Sequence, residues 1–159
     1  MKYPIHVILE DIRSAFNVGA FFRTADAAGV EKLWLTGITP YPPHNRIPKT
    51  ALGATKTIDW QYEKKPENAV QDLKRKSIEI IAVELTENAR NYTKIDYEKP
   101  CALIFGNEVT GVSDDLLQVA DKIVQIPMHG EKKSLNVEVS FAVVVYEIIR
   151  KWQKQTQNN

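Results

Sequence analysis

The fold of this chain is decided by the apolar run Cys101-Ala102-Leu103-Ile104-Phe105 and the loop Gly106-Asn107-Glu108-Val109-Thr110-Gly111-Val112 that follows it. A continuous apolar run of this length, ended by a glycine, predicts a strand that is buried on both faces. Ser113-Asp114-Asp115 then predicts the start of a helix. A buried strand, a loop and a helix in this order indicate a parallel α/β sheet.

The alternation of strands and helices extends over the rest of the sequence. Further strands are predicted at residues 5–9, 32–36, 57–62, 78–83 and 122–126, and they too are apolar on both faces. Residues 86–99 are polar and carry no clear assignment. Further helices are predicted from Asn17, as N-cap, to a stop at Gly29, from Pro66 to the basic residues 74–76, and from Ser134 to about Trp152.

Two segments stand out from this regular pattern. The connection from Gly37 to Thr57 is rich in proline and longer than most connections in compact domains, which indicates a functional segment. The last helix is apolar almost all round, which predicts that a second subunit covers part of it. The alternative to a continuous last helix is a strand at residues 143–145. The polar residues 154–159 at the end of the chain are expected to fray.

Composition predicts a single domain spanning residues 1–159, since the length is close to the usual domain size. The 21 basic and 20 acidic residues nearly cancel, so a nucleic-acid site would have to be a local patch. The longest apolar run, residues 141–146, is far shorter than the roughly 20 residues that span a membrane. The start shows no signal-peptide pattern, and the single Cys101 forms no internal disulfide. We expect a soluble, cytoplasmic protein.

Nucleotide and metal chemistry find little support in the sequence. Loop 106–113 has the glycine spacing of a phosphate-binding loop, but Val112 stands where the phosphate-binding lysine is required. No glycine-rich dinucleotide-binding motif is present, and the three histidines and one cysteine lack metal-ligand spacing. We therefore expect no metal, and we interpret His6, in the middle of a strand, as a packing residue.

Three motifs together are specific. Asn17-Val18-Gly19-Ala20-Phe21-Phe22-Arg23-Thr24-Ala25 resembles the first motif of the SpoU, or TrmH-like, branch of the SPOUT RNA methyltransferases. Residues 104–113 resemble the second motif. Ile126-Pro127-Met128-His129-Gly130, with Ser134-Leu135-Asn136-Val137 after it, resembles the third. The motifs follow the family order and cover nearly the whole chain.

This resemblance implies a parallel-sheet SPOUT (α/β knot) domain with a C-terminal trefoil knot. It also implies that S-adenosylmethionine (SAM) binds in the knot, that two chains form a homodimer through the C-terminal helix, and that a ribose 2′-hydroxyl of RNA is methylated, in tRNA rather than rRNA. The knot goes against the general rule that chains do not thread loops, so it depends on the resemblance alone. The alternative function is a non-catalytic RNA-binding homodimer, which the presence of the motif residues argues against.

The resemblance also implies roles for individual residues. Arg23 matches the family's hydroxyl-activating arginine, although a guanidinium can hardly act as a base and is better suited to clamp a phosphate and stabilise developing negative charge. Asn17 helps to place this arginine and the substrate, Glu108 braces its loop, and Ser134 and Asn136 lie near the methyl donor and the ribose. The cofactor contacts implied are Leu103, Gly106, Asn107, Gly111, Ile126, Met128, Ser134 and Leu135.

Two features distinguish this chain from many relatives. Glu138 stands where the family often has a small residue, commonly serine, and it is open whether it faces the active site, pairs with an arginine or lies at the dimer seam. We also predict no separate RNA-binding domain. The basic residues Arg46, Lys49 and Lys56 in the acid-free segment 37–57, with Tyr41 as a stacking partner for a base, are then candidates to dock RNA, unless the segment is simply a solvated loop.

Overall fold

The structure is a computed structural model that describes residues 1–158. These residues form seven strands and five α-helices, with one 3₁₀ turn at Ala54–Lys56; strands and helices alternate except that β4, β5 and β6 follow one another directly. The strands are β1 (Tyr3–Glu10), β2 (Val30–Thr36), β3 (Asp59–Glu63), β4 (Glu79–Val83), β5 (Arg90–Asn91), β6 (Cys101–Phe105) and β7 (Lys122–Gln125). The helices are α1 (Ala15–Ala28), α2 (Pro48–Ala51), α3 (Pro66–Arg75), α4 (Asp114–Val119) and α5 (Val137–Gln157).

All seven strands form one sheet in the order β3-β2-β1-β6-β4-β7-β5, and every pairing is parallel. The predicted parallel α/β architecture is therefore confirmed. In the centre of the sheet, Ile8 of β1 lies between Trp34 of β2 and Ile104 of β6. Parallel strands place all their carboxyl ends at one edge, so the loops after β1, β4, β6 and β7 meet there.

The two faces of the sheet carry separate apolar cores. On one face α1 and α5 pack on β6, with the Phe21 ring 5.1 Å from that of Phe141 and 5.6 Å from that of Phe105. On the other face α3 and α4 pack on β4 and β6. His6 is a packing residue, as expected, since it is buried and its Nδ1 accepts a hydrogen bond from Trp34 Nε1 at 3.3 Å.

Several predicted helix boundaries are wrong. Ser14, not Asn17, caps α1, because the Ser14 hydroxyl accepts the Asn17 N–H at 3.2 Å. Asn136, not Ser134, caps α5. This last helix continues through residues 143–145, which excludes a strand there, and it runs to Gln157, so the fraying predicted from Lys154 is wrong up to that residue. Asn159 lies outside the described residues.

The long connection between β2 and β3 is folded against α1. A Cβ atom at Gly19 would lie 2.0 Å from Thr50 Oγ1 and 2.4 Å from the Ile47 carbonyl oxygen, so only glycine lets α2 approach this closely. The Thr50 hydroxyl donates a hydrogen bond to the carbonyl of Phe16 at 2.8 Å. Further along, the Thr57 hydroxyl donates to Asp26 at 2.6 Å. The connection therefore lies along α1, the helix that contains the first sequence motif.

None of the helices within the described residues is long and apolar enough to cross a membrane.

Candidate active site

A cavity of about 310 Å³ opens at the carboxyl ends of β4, β6 and β7. This volume lies at the lower end of the range of small-molecule sites. Its walls come from the loop after β6 and from the segment between β7 and α5, which are the second and third sequence motifs. Most of the predicted cofactor residues line it: Gly106, Asn107, Gly111, Ile126, Met128, Ser134 and Leu135.

Leu103 does not line this cavity, and its predicted role as a cofactor wall is not supported. Its side chain is completely buried in the core between the sheet and α1 and α5. The cavity begins only at Phe105, the last residue of the same strand. An apolar residue in the middle of a central strand packs in the core, whereas ligands meet the residues beyond the strand end.

The loop after β6 is a tight turn closed by Asn107. The Asn107 carbonyl accepts the Gly111 N–H at 2.8 Å, and its side-chain oxygen accepts the N–H groups of Val109 and Thr110 at 2.8 and 3.1 Å. The two ends of the loop approach so closely that a Cβ at Gly106 would lie 2.2 Å from the Gly111 carbonyl carbon. A side chain at position 106 would therefore force the turn open beside the cavity that this loop lines.

Two carboxylates that the sequence analysis missed hold the far end of this loop. Glu84 accepts the Val112 N–H and Glu10 accepts the Ser113 N–H, both at 2.9 Å. Glu10 is only 4% exposed. Burial raises its pKa above the ordinary value, and hydrogen bonds from Ser113 offset only part of that increase. Their positions in the sequence could have identified these two carboxylates as site residues. Glu10 ends one apolar run and Glu84 directly follows another, so both lie at the edge of the sheet where ligands bind.

Glu108 joins the second motif to the start of α1. Its carboxylate accepts the N–H groups of Arg13 at 2.9 Å and Ser14 at 3.1 Å, and the Asn17 side-chain amide at 3.0 Å. Partial burial by itself would raise the pKa of Glu108, but these hydrogen bonds outweigh it and hold the pKa below the ordinary value. Glu108 is therefore ionised at neutral pH, and its hydrogen bonds tie this loop to the segment that leads into α1.

The third motif meets the first through two asparagines. Asn136 donates a hydrogen bond from Nδ2 to Asn17 Oδ1 at 3.2 Å. Its own side-chain oxygen accepts the N–H groups of Glu138 and Val139 at the start of α5. Asn17 thus lies between Glu108 and Asn136, so one chain of hydrogen bonds connects all three motifs at the rim of the cavity.

Arg23 does not line the cavity. It lies on the exposed surface of α1, roughly two helical turns after Asn17. No carboxylate forms a salt bridge with it in the part of the chain that the structure describes. An exposed guanidinium without an internal partner is available to bind an anionic group of a ligand.

The remaining predicted residues lie apart from the cavity. Arg46, Lys49 and Lys56 are exposed on the connection that packs along α1. Tyr41 is 44% exposed, with its ring 4.2 Å from that of Tyr62. Glu138 accepts a hydrogen bond from the Thr24 hydroxyl and does not line the cavity.

Comparison with known proteins decides which family this geometry represents. Residues 4–146 match the model of the SpoU rRNA Methylase family. The chain belongs to this family. It is 33% identical to the tRNA (guanosine(18)-2′-O)-methyltransferase of Aquifex aeolicus over 153 residues. The aligned region covers 94% of this chain and 70% of that protein. The enzyme of the same name in Escherichia coli K12 is 34% identical over 96% of this chain, which spans only 64% of the length of that relative.

Solved structures of SpoU-type proteins share the fold. The crystal structure of the A. aeolicus TrmH/SpoU tRNA modifying enzyme superposes with a TM-score of 0.87 at 28% identity, over 98% of this chain and 78% of that one. An AdoMet-bound rRNA methyltransferase from Sinorhizobium meliloti superposes with a TM-score of 0.82, also at 28% identity, over 92% of this chain and 56% of that one. The predicted SpoU-type α/β fold is thereby confirmed.

Proposed function

We propose that this SpoU family member transfers a methyl group from SAM to a ribose 2′-hydroxyl of tRNA. The observation that carries the proposal is the hydrogen-bonded chain Glu108–Asn17–Asn136, which joins the three motifs at the rim of one cavity. The relatives that match at 33% and 34% identity are named as tRNA 2′-O-methyltransferases, which favours tRNA over rRNA. A non-catalytic RNA-binding protein would not need these polar groups to be held together.

The cavity fits SAM in size and lining. Ile126, Met128 and Leu135 give it apolar surface for a purine, and the tight turn that contains Gly106 and Gly111 forms another part of its wall. SAM would supply an activated methyl group with a thioether as its leaving group. What remains for the protein is to bind the donor, orient the ribose and stabilise the charge that develops on the hydroxyl oxygen.

Arg23 is the residue that we assign to the RNA. The ribose hydroxyl loses its proton as it attacks the methyl group, and in this proposal the proton passes to solvent water. A guanidinium has hydrogen-bond donors but no acceptor, so Arg23 is not the base. Its planar donors suit a phosphate next to the reacting ribose and the developing alkoxide. Asn17 lies on the same helix and connects this arginine's helix to Glu108 and Asn136.

RNA docks, in this proposal, along α1 and the connection packed on it. Arg46, Lys49 and Lys56 are exposed there, close in the fold to the helix that carries Arg23. The exposed face of Tyr41 can stack on a base, since its other face lies against Tyr62. In this proposal the exposed basic residues of the connection and the exposed Arg23 of α1 contribute the RNA contacts of this domain.

We also propose that the active form is a homodimer through α5. Val139 and Tyr146 of this helix are 43% and 50% exposed, and Val143 between them is partly exposed. These positions are spaced by one helical turn each, so they form an apolar stripe on one side of α5. A second copy of the same helix would cover it. Two further points belong to the proposal. The chain forms a C-terminal trefoil knot, and the protein acts in the cytoplasm together with its tRNA substrate.

The deciding experiment follows radiolabelled methyl transfer from SAM to unmodified tRNA and maps the product by mass spectrometry, with guanosine 18 examined first. We expect a 2′-O-methylated nucleoside in the wild type and a loss of at least about 100-fold in kcat/KM for Arg23→Ala, as for removal of a transition-state donor. Arg75→Ala, which removes an exposed arginine on α3, is the matched control. Tight tRNA binding without any methyl transfer would favour the non-catalytic alternative, and a methyl group found only on a base would refute the reaction type.

A further inference from the structure

The first turn of α5 meets the middle of α1 through a carboxylate where the family motif often has a small residue. The hydroxyl of Thr24 donates a hydrogen bond to Oε1 of Glu138, and both side chains are partly buried. Glu138 forms no salt bridge with an arginine in the described residues and does not line the cavity. Its one polar side-chain contact is therefore with α1, the helix of the first motif.

Within the described residues, this contact is one of two polar side-chain contacts between α1 and the start of α5. The other is Asn136 with Asn17. Asn17, Phe21 and Thr24 lie on one face of α1, because they are spaced by successive helical turns. Phe21 stacks on Phe141 of α5 at 5.1 Å, between the two polar contacts along α1. Hydrogen bonds are directional, so one on either side of this aromatic contact further defines how α1 is rotated and placed against α5.

The anchor at Thr24 directly affects Arg23. The two residues are adjacent in α1, so the position of the Thr24 backbone sets the position of the Arg23 backbone. Arg23 itself has no salt bridge within residues 1–158 to hold its side chain. Its placement relative to Ser134 and Asn136 therefore depends on how α1 is docked on α5, and displacements of about 1 Å in a reacting group can cost about 100-fold in rate.

We propose that Glu138 is a positioning residue for Arg23. Glu138 accepts a hydrogen bond from the Thr24 hydroxyl. This contact fixes how α1 is rotated about its axis and how far along that axis it lies relative to the first turn of α5, and so sets the distance between Arg23 and the third motif. The inference rests on the proposed methyl transfer. Because Glu138 acts as a hydrogen-bond acceptor, its amide counterpart can take its place.

The experiment compares Glu138→Ala, Thr24→Val, the double variant and Glu138→Gln in steady-state methylation of tRNA and in calorimetric binding of S-adenosylhomocysteine. Glu138→Ala and Thr24→Val each remove the contact, so each should lower kcat about tenfold, which is the effect expected for one lost hydrogen bond. Neither should change the affinity for the cofactor. The double variant should lose no more than either single one, because both remove the same contact. Glu138→Gln should stay within about twofold of the wild type.

The control is Glu147→Ala, which removes a carboxylate from the same helix; its side chain is only 10% exposed, and its ion pair is with Arg150 of α5 and not with α1. It should leave kcat unchanged. Unchanged kcat in Glu138→Ala, multiplied losses in the double variant, or a parallel loss of cofactor affinity would each overturn the inference. Thr24→Val, which conserves volume, supplies the same test if Glu138→Ala folds poorly. A wild-type protein that transfers no methyl group would instead overturn the proposed function, and the inference with it.

Discussion

Asn136 donates a hydrogen bond to Asn17 across 119 positions of sequence, with 3.2 Å between Nδ2 and Oδ1. This contact joins the N-cap of α5 to the first turn of α1. Asn17 also donates to Glu108 at 3.0 Å, so its short side chain contacts both of the other motifs. Asn17, for which the sequence predicts both a helix cap and a role in placing the substrate, therefore links the other two motifs.

The separate roles of Asn17 and Ser14 can be tested directly. Asn17→Ala removes the bridge between Glu108 and Asn136, so we expect kcat to fall about tenfold or more, as for loss of a group that positions a site. Ser14→Ala removes the true N-cap and should cost about 1 kcal/mol of unfolding free energy while largely preserving kcat. Urea unfolding and methylation kinetics on both variants measure the difference. Equal losses of activity would contradict this division.

The pH dependence of stability should reveal Glu108. Its pKa is lowered in the folded state, so its contribution to stability is complete above the pKa of an unfolded glutamate and is lost as the pH falls through the lower folded value. We expect Glu108→Gln to be less stable than the wild type by about 1 kcal/mol at neutral pH, since the side chain is largely exposed and solvent weakens its interactions. Urea unfolding from pH 7 to pH 3 should show this difference shrinking. A constant difference would refute the assignment.

Gly106 should not tolerate a side chain. In Gly106→Ala the new Cβ would meet backbone atoms of Gly111 and Val112 at 2.2 Å, so the turn at the cavity must open. We expect S-adenosylhomocysteine affinity to fall at least about tenfold and stability to fall by about 1–3 kcal/mol. Gly130→Ala is the matched control, because nothing lies within 4 Å of its Cβ position. Calorimetry on both variants tests this, and retained affinity in Gly106→Ala would count against the turn as a binding element.

Gly19 should affect RNA binding rather than cofactor binding. Its Cβ would collide with Thr50 and Ile47, so Gly19→Ala must displace the connection that carries the basic residues. We expect weaker tRNA binding and unchanged affinity for S-adenosylhomocysteine.

Arg46→Ala combined with Lys49→Ala should weaken tRNA binding too and flatten its salt dependence, since fewer counterions are released. Filter binding at several salt concentrations checks both, and unchanged affinity would remove this surface from the proposal.

Charges placed on the stripe of α5 should dissociate the proposed dimer. Val139→Glu and Tyr146→Glu would put a carboxylate in an apolar seam, where an unpaired charge is costly. Light scattering should report a dimer for the wild type and a monomer for these variants. Val119→Glu on α4 is the control, because that valine is similarly exposed, at 40%, on another part of the fold. A wild-type monomer at working concentration would refute the proposal.

The sequence by itself determined the fold class and the loops that line the cavity. The buried strands, the helix starts at Pro66 and Ser113, and the glycine stop of α1 depend on residues within a few positions of one another, so a local pattern reveals them. The motifs at residues 104–113 and 126–137 also mark which loops form the cavity. Seven of the eight predicted cofactor residues line it, and Leu103 is the exception.

Only the tertiary structure decided which polar groups meet. Glu108 contacts Arg13 across 95 positions of sequence and Glu10 contacts Ser113 across 103, and no local pattern contains both partners of such a pair. Ser134 and Asn136 are both good capping residues, so the choice between them depended on where Asn17 lies in the folded chain. For the same reason the sequence left it open whether Glu138 faces the active site, pairs with an arginine or lies at the dimer seam. Its acceptor oxygen is bound by a threonine that becomes its neighbour only when α1 and α5 pack together.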